Sequence, residues 1–302
     1  MNTDVEIGPL GEEGLKTILE MARLEGWAPG HNDGSCYFAA DPEGFFGARV
    51  DGKLVGGISA VRYGPNYGFI GLFIVRPEYR SGNIGLKLAR KAIEHLGDRV
   101  MGEDGVLAQE KNYHKLGGFD TAHHQLRYKG KAGPLKQSRP KIASGDLTGD
   151  HAIVELTRIP SGVIASFDGL YFPGPRAAFL QSWINAPGHV GKGILQTLMV
   201  RGHEVKTLVG YGVIRPTDQG YRVGPLFAKS ATIARALMAD LCSRLDNGDE
   251  VMWDIPQPNR VACRMALEWG MEVVFETARM YKGKAPTIAP ETIFGITTFE
   301  LG

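Results

Sequence analysis

The sequence predicts an α/β (α+β) protein built as two similar halves. Three observations carry this. Apolar runs with strand character alternate with segments of helical period. Turn signals separate them at short intervals. The pattern also returns 153 positions later: Gly71-Leu72-Phe73 corresponds to Gly224-Pro225-Leu226, Gly117 to Gly270, and Tyr128 to Tyr281.

In order along the chain, residues 12–24 place Leu15, Ile18, Leu19 and Ala22 on one helical face, and Gly26 and Pro29 stop the helix. Residues 26–34 are a loop by composition. Residues 45–50 read as a strand, Asp51-Gly52 as a hairpin turn, and residues 54–63 as the returning strand. After a turn at Gly64-Pro65-Asn66, residues 67–75 form a continuous apolar strand suited to the middle of a sheet. Residues 84–96 are an amphipathic helix with Leu88, Ala89, Ala92, Ile93 and Leu96 inward. Residues 100–104 are a short strand, residues 109–116 a short helix ended by Gly117-Gly118, and residues 125–128 begin a closing strand. In the second half, residues 233–245 form the corresponding helix. The expected organisation is a first domain over residues 1–130, a polar, basic linker over 131–145 and a second domain over 146–302. The basic run is either a solvated linker or an anion site.

Composition limits the function. The 302 residues carry 34 Lys and Arg against 33 Asp and Glu, a net charge of +1, which gives no general attraction to nucleic acid or an anionic membrane. Three scattered cysteines form neither a disulfide framework nor a zinc site, so no metal is expected. No apolar stretch is long enough to span a bilayer and no secretory signal is visible, so a cytoplasmic monomer or homodimer is expected.

The informative segment runs from Phe73, Ile74 and Val75 through Arg76-Pro77-Glu78-Tyr79-Arg80-Ser81-Gly82-Asn83-Ile84-Gly85. It reads strand, basic glycine-containing loop, helix. A helix N-terminus offers free N–H groups and the positive end of its dipole, and a curled loop before it aims further amides at a pyrophosphate. Gly82 and Gly85 permit close approach, and Arg80 adds charge. A mononucleotide loop would need Gly-Lys-Ser/Thr, which is absent.

This segment resembles the acetyl-coenzyme A loop of the GCN5-related N-acetyltransferase (GNAT) superfamily, Arg/Gln-x-x-Gly-x-Gly/Ala after Val-x-Pro-x-x-Arg, through Val75, Pro77, Arg80 and Gly85. Asn83 replaces the first glycine; asparagine also tolerates left-handed backbone. Tyr113-His114-Lys115-Leu116-Gly117-Gly118-Phe119 resembles the later Tyr-x-x-x-Gly-Phe segment, with one extra glycine. The resemblance covers residues 5–128, and the second half is similar to the C-terminal half of a tandem-GNAT bacterial family. It implies two tandem domains, each a mixed, mostly antiparallel central sheet flanked by helices. It implies acetyl-CoA as cosubstrate in the first half, held by Phe73, Ile74, Val75 and residues 80–85, with Tyr113 beside the thioester as the acid that protonates the thiolate; Tyr113 otherwise reads as a packing residue.

The second half has neither the glycines nor the arginine pair after Ala228, and Ala266 stands where Tyr113 does, so it reads as a degenerate copy. Asn259 and Ala262 either mark a second cofactor site or belong to that copy. The resemblance also places the acceptor against the loop after the first helix, with Trp27, His31 and Asp33 as candidates; Asp33 either holds a cationic amine or caps a turn, and Trp27 offers a cation–π face or belongs to the core. Glu103 and Asp104 are candidate bases, although Asp104-Gly105 equally reads as a turn. The implied activity is N-acetylation of a small primary amine by direct attack. A non-catalytic acyl-CoA-binding or regulatory module, and a protein-lysine acetyltransferase, remain as alternatives.

Overall fold

A computed structural model describes residues 5–137 and 150–302. The first half begins with β1 (Val5–Pro9) and α1 (Glu12–Leu24). Helix α1 buries Leu15, Ile18, Leu19, Met21 and Ala22, with Glu12 and Glu13 in its first turn and Arg23 in its last, the order its dipole favours. A helix not expected from the sequence follows, α2 (Asp33–Ala40). Its period is masked because the interior takes up small and polar members as well: Asp33, Cys36 and Tyr37 are all buried. The antiparallel ribbon β2 (Phe45–Val50), β3 (Lys53–Tyr63) and β4 (Tyr67–Val75) comes next. Helix α3 (Ile84–Leu96) then crosses to β5 (Val100–Val106), parallel to β4. The short helix α4 (Glu110–Asn112) passes into a π-helical turn, Tyr113–Gly117, before β6 (Asp120–Lys131).

Helix α5 (Ala132–Gln137) occupies the start of the expected linker, which is a correction. Ala132 and Leu135 are buried in the core of the second half, and the Ala132 N–H donates to the Asp249 carbonyl. The remainder of that linker up to residue 145 lies outside the described residues. The second half then repeats the order: β7 (Asp150–Glu155), α6 (Ser161–Asp168), α7 (Ala177–Asn185), β8 (Val190–Val200), β9 (His203–Thr217), β10 (Gly220–Ala228), α8 (Ala231–Leu241), β11 (Glu250–Pro256), α9 (Arg260–Glu268) and β12 (Glu272–Lys282). A last short strand, β13 (Ile293–Gly295), precedes the tail.

One sheet runs through both halves in the order β1-β2-β3-β4-β5-β12-β6-β11-β10-β9-β8-β7. The closing strands are exchanged. Strand β6 does not close the first half; it pairs antiparallel with β11, and β12 pairs antiparallel with β5. The two exchanged strands lie side by side at the centre. The halves also share a hydrophobic core in which α2 meets α7. Tyr37 stacks on Trp183 with ring centroids 6.3 Å apart, and both rings are fully buried.

The repeat is not uniform. β4 and β10 keep the 153-residue offset, but residues 76–83 separate β4 from α3 whereas only Lys229 and Ser230 separate β10 from α8. The left-handed glycine matching Gly270 is Gly118 and not Gly117. The π-turn at Tyr113–Gly117 accommodates the extra residue.

Candidate active site

Strands β4 and β5 are paired only from Tyr67/Val100 to Ile70/Glu103. Beyond Ile70, β4 bulges: Leu72 has φ +44°, and the register with β3 shifts between Gly57 and Ser59. The two strands then part, leaving the far end of β4 without a ladder partner in β5. A cavity occupies this fork, lined by Ile70 to Phe73, by Glu103 to Val106 and by Tyr113, with Trp27, Arg127, Phe275, Thr277, Phe299 and Glu300 on its other side.

The loop expected to hold a pyrophosphate leads away from the end of β4. Pro77–Tyr79 form a 3₁₀ turn, and Ser81, Gly82 and Asn83 are exposed. Asn83 has φ −95°, so neither it nor Gly82 uses the left-handed conformation expected for this position. Among the described residues no side chain caps α3, whose first turn therefore keeps unused N–H groups at Ile84 and Gly85. A side chain at Gly85 would lie 3.4 Å from the Phe73 ring. Arg80 is partly engaged: its Nε donates to the Val75 carbonyl at 2.8 Å and its Nη2 to Glu25 at 2.5 Å, which ties the loop to the end of α1.

Of the two candidate bases, Asp104 is bound on both oxygens by Arg279 at 2.7 Å each. This bidentate pair takes its acceptors, which argues against Asp104 as the base. Glu103 differs. It is buried, its Oε1 has no hydrogen-bond partner among the described residues, and burial together with the Asp104 charge pushes its pKa up to about 8. Tyr113 packs against Gly105 and tilts toward Phe73, ring centroids 6.5 Å apart. Burial, then the Glu103 charge, raises its phenol well above the ordinary value, so it is a protonated donor at neutral pH.

The three acceptor candidates separate. Trp27 lines the cavity, and its carbonyl accepts from Arg127 at 2.9 Å. His31 is exposed and pairs with Asp218 of the second half at 2.8 Å, away from the cavity wall. Asp33 is fully buried; it accepts from the Gly30 N–H at 2.8 Å and from Tyr37 and pairs with Arg215 at 2.9 Å. Asp33 thus joins the two halves and begins α2, and no acceptor amine can reach it. The residues that sequence reasoning missed come from the exchanged strands and the tail: Arg127, Phe275, Thr277, Phe299 and Glu300. Arg127 and Arg222 both bind Asp254, and Arg222 lies 3.5 Å from Glu300. Burial alone would raise Asp254, but the two guanidiniums hold it at about 2.

The equivalent fork of the second half is filled. β10 and β11 part beyond Val223/Trp253, and β13 pairs with β10 at Leu226/Gly295 and Phe227/Ile293, while the Ile296 N–H donates to the Asp254 carbonyl. Asn259 holds this plug: its Nδ2 donates to the Ile293 carbonyl and its Oδ1 caps α9 through the Ala262 N–H, both at 2.9 Å. Asn259 is therefore both the cap of α9 and the anchor of β13, with the Ala262 N–H as its capped donor, and this use of its amide argues against a second cofactor site there. The Ser230 hydroxyl caps α8 by accepting from the Ile233 N–H. Beyond the plug the tail continues into the first half, where the Glu300 carbonyl abuts Gly71 and accepts from Ser59, as the Thr297 carbonyl abuts Gly224.

A forked sheet of this kind, with an uncapped helix beyond the fork, defines a class that the comparisons also identify. The acetyltransferase (GNAT) family model matches residues 13–117, and an acetyltransferase (GNAT) domain model matches residues 164–295. The chain belongs to the GNAT family of acyl-transferring enzymes. It is 30% identical over 294 residues to holothin acyltransferase of Pseudoalteromonas sp. (strain SANK 73390), covering 97% of this chain and 93% of that relative. Its fold is similar to that of a putative acetyltransferase from Pyrococcus horikoshii, with TM-score 0.74 and 19% identity over 99% of this chain and 96% of that one. It is also similar to a tandem GNAT protein from the clavulanic acid biosynthesis pathway, with TM-score 0.63 and 14% identity over 94% and 100% of the two chains.

Proposed function

We propose that the chain transfers the acetyl group of acetyl-CoA to the primary amine of a small molecule, in the first half only. The observation that carries this reading is the open β4–β5 fork, where Glu103 has an unpaired carboxyl oxygen and Tyr113 stands at the same cavity. The fork's counterpart in the second half is closed by β13. The residues present suit the cosubstrate: the exposed loop 81–83 and the uncapped α3 provide amide donors for a diphosphate. The unpaired edge of β4 from Phe73 to Val75 can hold an extended chain by its backbone.

Acetyl-CoA supplies an acyl group on a thioester. Glu103 takes a proton from the acceptor ammonium, since a carboxyl with pKa about 8 is better matched to an amine than an ordinary glutamate. The neutral nitrogen attacks the thioester carbonyl directly, a C–N bond forms and the C–S bond breaks. A backbone N–H of β4 polarises the carbonyl oxygen; Tyr113 passes its phenolic proton to the departing sulfur and is restored by the second proton that the nitrogen sheds as the amide forms. Trp27, Phe275 and Phe299 wall the acceptor side. A narrow cavity roofed by the tail and the second half favours a small molecule over a protein lysine. A relative named for acylating holothin supports the acyl-transfer part of the reading.

The test is a panel of primary amines with acetyl-CoA, reading released thiol. Thiol release that depends on an amine is expected, with one acetyl-CoA bound per chain by calorimetry. Two equivalent sites, or binding without transfer to any amine, would argue against this reading.

A further inference from the structure

The second half is uncharged over one continuous face. Between Arg158 and Lys192 the only Asp, Glu, Lys or Arg residues are Asp168 and Arg176. Both are buried and bind each other, Arg176 donating to the two Asp168 oxygens at 2.9 and 2.7 Å. His189 is neutral, its pKa lowered to about 4 by burial and then by the Arg215 charge. Helices α6 and α7 therefore show solvent side chains such as Ser161, Val163, Ser166, Ala177, Ala178 and Gln181. Helix α1, by contrast, exposes Glu12, Glu13, Lys16 and Glu20. The neutral face continues onto residues 285–290, where Pro286, Thr287 and Ile288 border the α6–α7 connection.

This face has relief. Two grooves of about 610 and 690 Å³ lie side by side on it. They share Ala165, Ala177 and Leu180, which form the divide between them. One groove is floored by Leu156, Ile159, Ile164 and Ile184, all buried. Leu170 stands exposed at the other. The only charged residues lining either groove are Asp168 and Arg176, already paired, so neither groove converges free polar groups on a small ligand. Depletion of charge instead marks the centre of a protein interface. The accessible residues of 160–188 and 285–290 number on the order of 25, within the roughly 20–30 a side of a standard interface.

We infer that this face binds a second copy of the chain, in a two-fold contact whose axis runs along the divide at Ala177. Two features select that occupant. A charged face would repel its own image or lose its hydration, whereas a neutral one meets itself at neither cost. The face also carries both complementary shapes. A two-fold along the divide lays each groove over the other groove of the partner, so Leu170 of each copy enters the apolar groove of the other, and the contact closes after two chains. No residue of this face lines the fork cavity, so both active sites stay open in the dimer. A rival apolar surface, Met199 and Val200 at the β8–β9 turn, is interspersed with Arg201, Glu204 and Lys206.

Sedimentation equilibrium on the full-length protein tests this. The wild type is expected at twice the 32.8 kDa of one chain. A wild type still monomeric at about 100 µM binds too weakly for a specific interface of this size and would overturn the inference. Leu170→Glu is expected to raise the dimer Kd at least about 100-fold, with secondary structure unchanged by circular dichroism, and Met199→Glu to leave it unaltered. The reverse pattern would move the contact to the β8–β9 turn and overturn the inference. Ala177→Glu and Ala177→Lys are each expected to be monomeric alone and to pair when mixed, because residue 177 meets its own copy at the axis; a merely misfolded variant would not recover in this way. A dimer that survives all three substitutions lies on another face and likewise refutes the assignment. The readout is mass, so the outcome stands apart from the acyl-transfer reading.

Discussion

The two strand–loop–helix crossings started from one plan and end in opposite states. In the first half, residues 76–83 lead from β4 to an uncapped α3, and β4 and β5 part around an open cavity. In the second, Lys229 and Ser230 suffice, the Ser230 hydroxyl caps α8, and β13 occupies the fork. A binding site for a polar chain is in physical terms a set of backbone groups left unmet. The second half has met its own from within through β13 and the Ser230 cap, while the first half leaves them open, as the proposed cosubstrate site requires.

The largest expected effect breaks the open crossing. Gly85→Asp puts a carboxylate in the first turn of α3, where the helix itself tolerates negative charge but a diphosphate does not. Acetyl-CoA affinity should fall at least about 100-fold by calorimetry, equivalent to about 2.7 kcal/mol, with the thermal midpoint unchanged or raised. Retained binding would place the diphosphate elsewhere.

Next come the groups inside the fork. Tyr113→Phe should lower kcat by about 10²–10⁴-fold with acetyl-CoA affinity nearly unchanged, because the hydroxyl acts on the leaving sulfur alone. For Glu103, kcat/KM of the wild type should rise about tenfold per pH unit and level near pH 8, as the carboxyl ionises; Glu103→Gln should lose that limb. Stability moves the other way. The folded state keeps a proton that an ordinary glutamate, at 4.5, has lost, so the wild type loses stability as pH rises from about 4.5 to 8. Denaturant titrations across this window should show a flatter profile in Glu103→Gln.

The smaller effects concern the closed crossing. Asn259→Ala removes a helix cap and the anchor of β13 together, and should cost about 1–2 kcal/mol in denaturant unfolding, with acetyl-CoA stoichiometry still one. Ser230→Ala removes a longer cap bond of 3.4 Å and should cost about 0.5–1 kcal/mol. A second binding event in either variant would show that the plug alone had closed a competent site.

The elements of the first half were largely legible in the sequence because each carries its own period. The helix at Glu12–Leu24 and the strands at Phe45–Val50 and Tyr67–Val75 fall where hydrophobic spacing puts them. Helix α2 is illegible because burial on several sides erases the period, so the sequence around Asp33 reads as loop. The candidate loop and Tyr113 stand out in the sequence because each is a local motif. The other wall of the cavity does not, since Arg127, Thr277 and Phe299 meet only through the strand exchange and the tail. Nothing in the local sequence of β6 tells whether it closes its own half or the other. Asp104 and Glu103, adjacent in sequence and alike in type, are given different surroundings by one distant partner, Arg279.

The exchanged strands also govern how the molecule comes into being. Strand β5 ends at Val106, and its neighbour β12 begins at Glu272. At roughly 5–20 residues per second of synthesis, the β5 edge waits on the order of 10 to 30 s for its partner to leave the ribosome. Through that interval the nascent first half has a bare strand edge, the feature most prone to pair with a stranger, and its cavity lacks Phe275, Thr277 and the tail. A fragment ending near Lys131 could cover that edge only with β6, a pairing that the full chain does not use. The cavity therefore gains its second wall only when β12 and residues 299–300 have been synthesised, long after β4, β5 and Tyr113, which form the first.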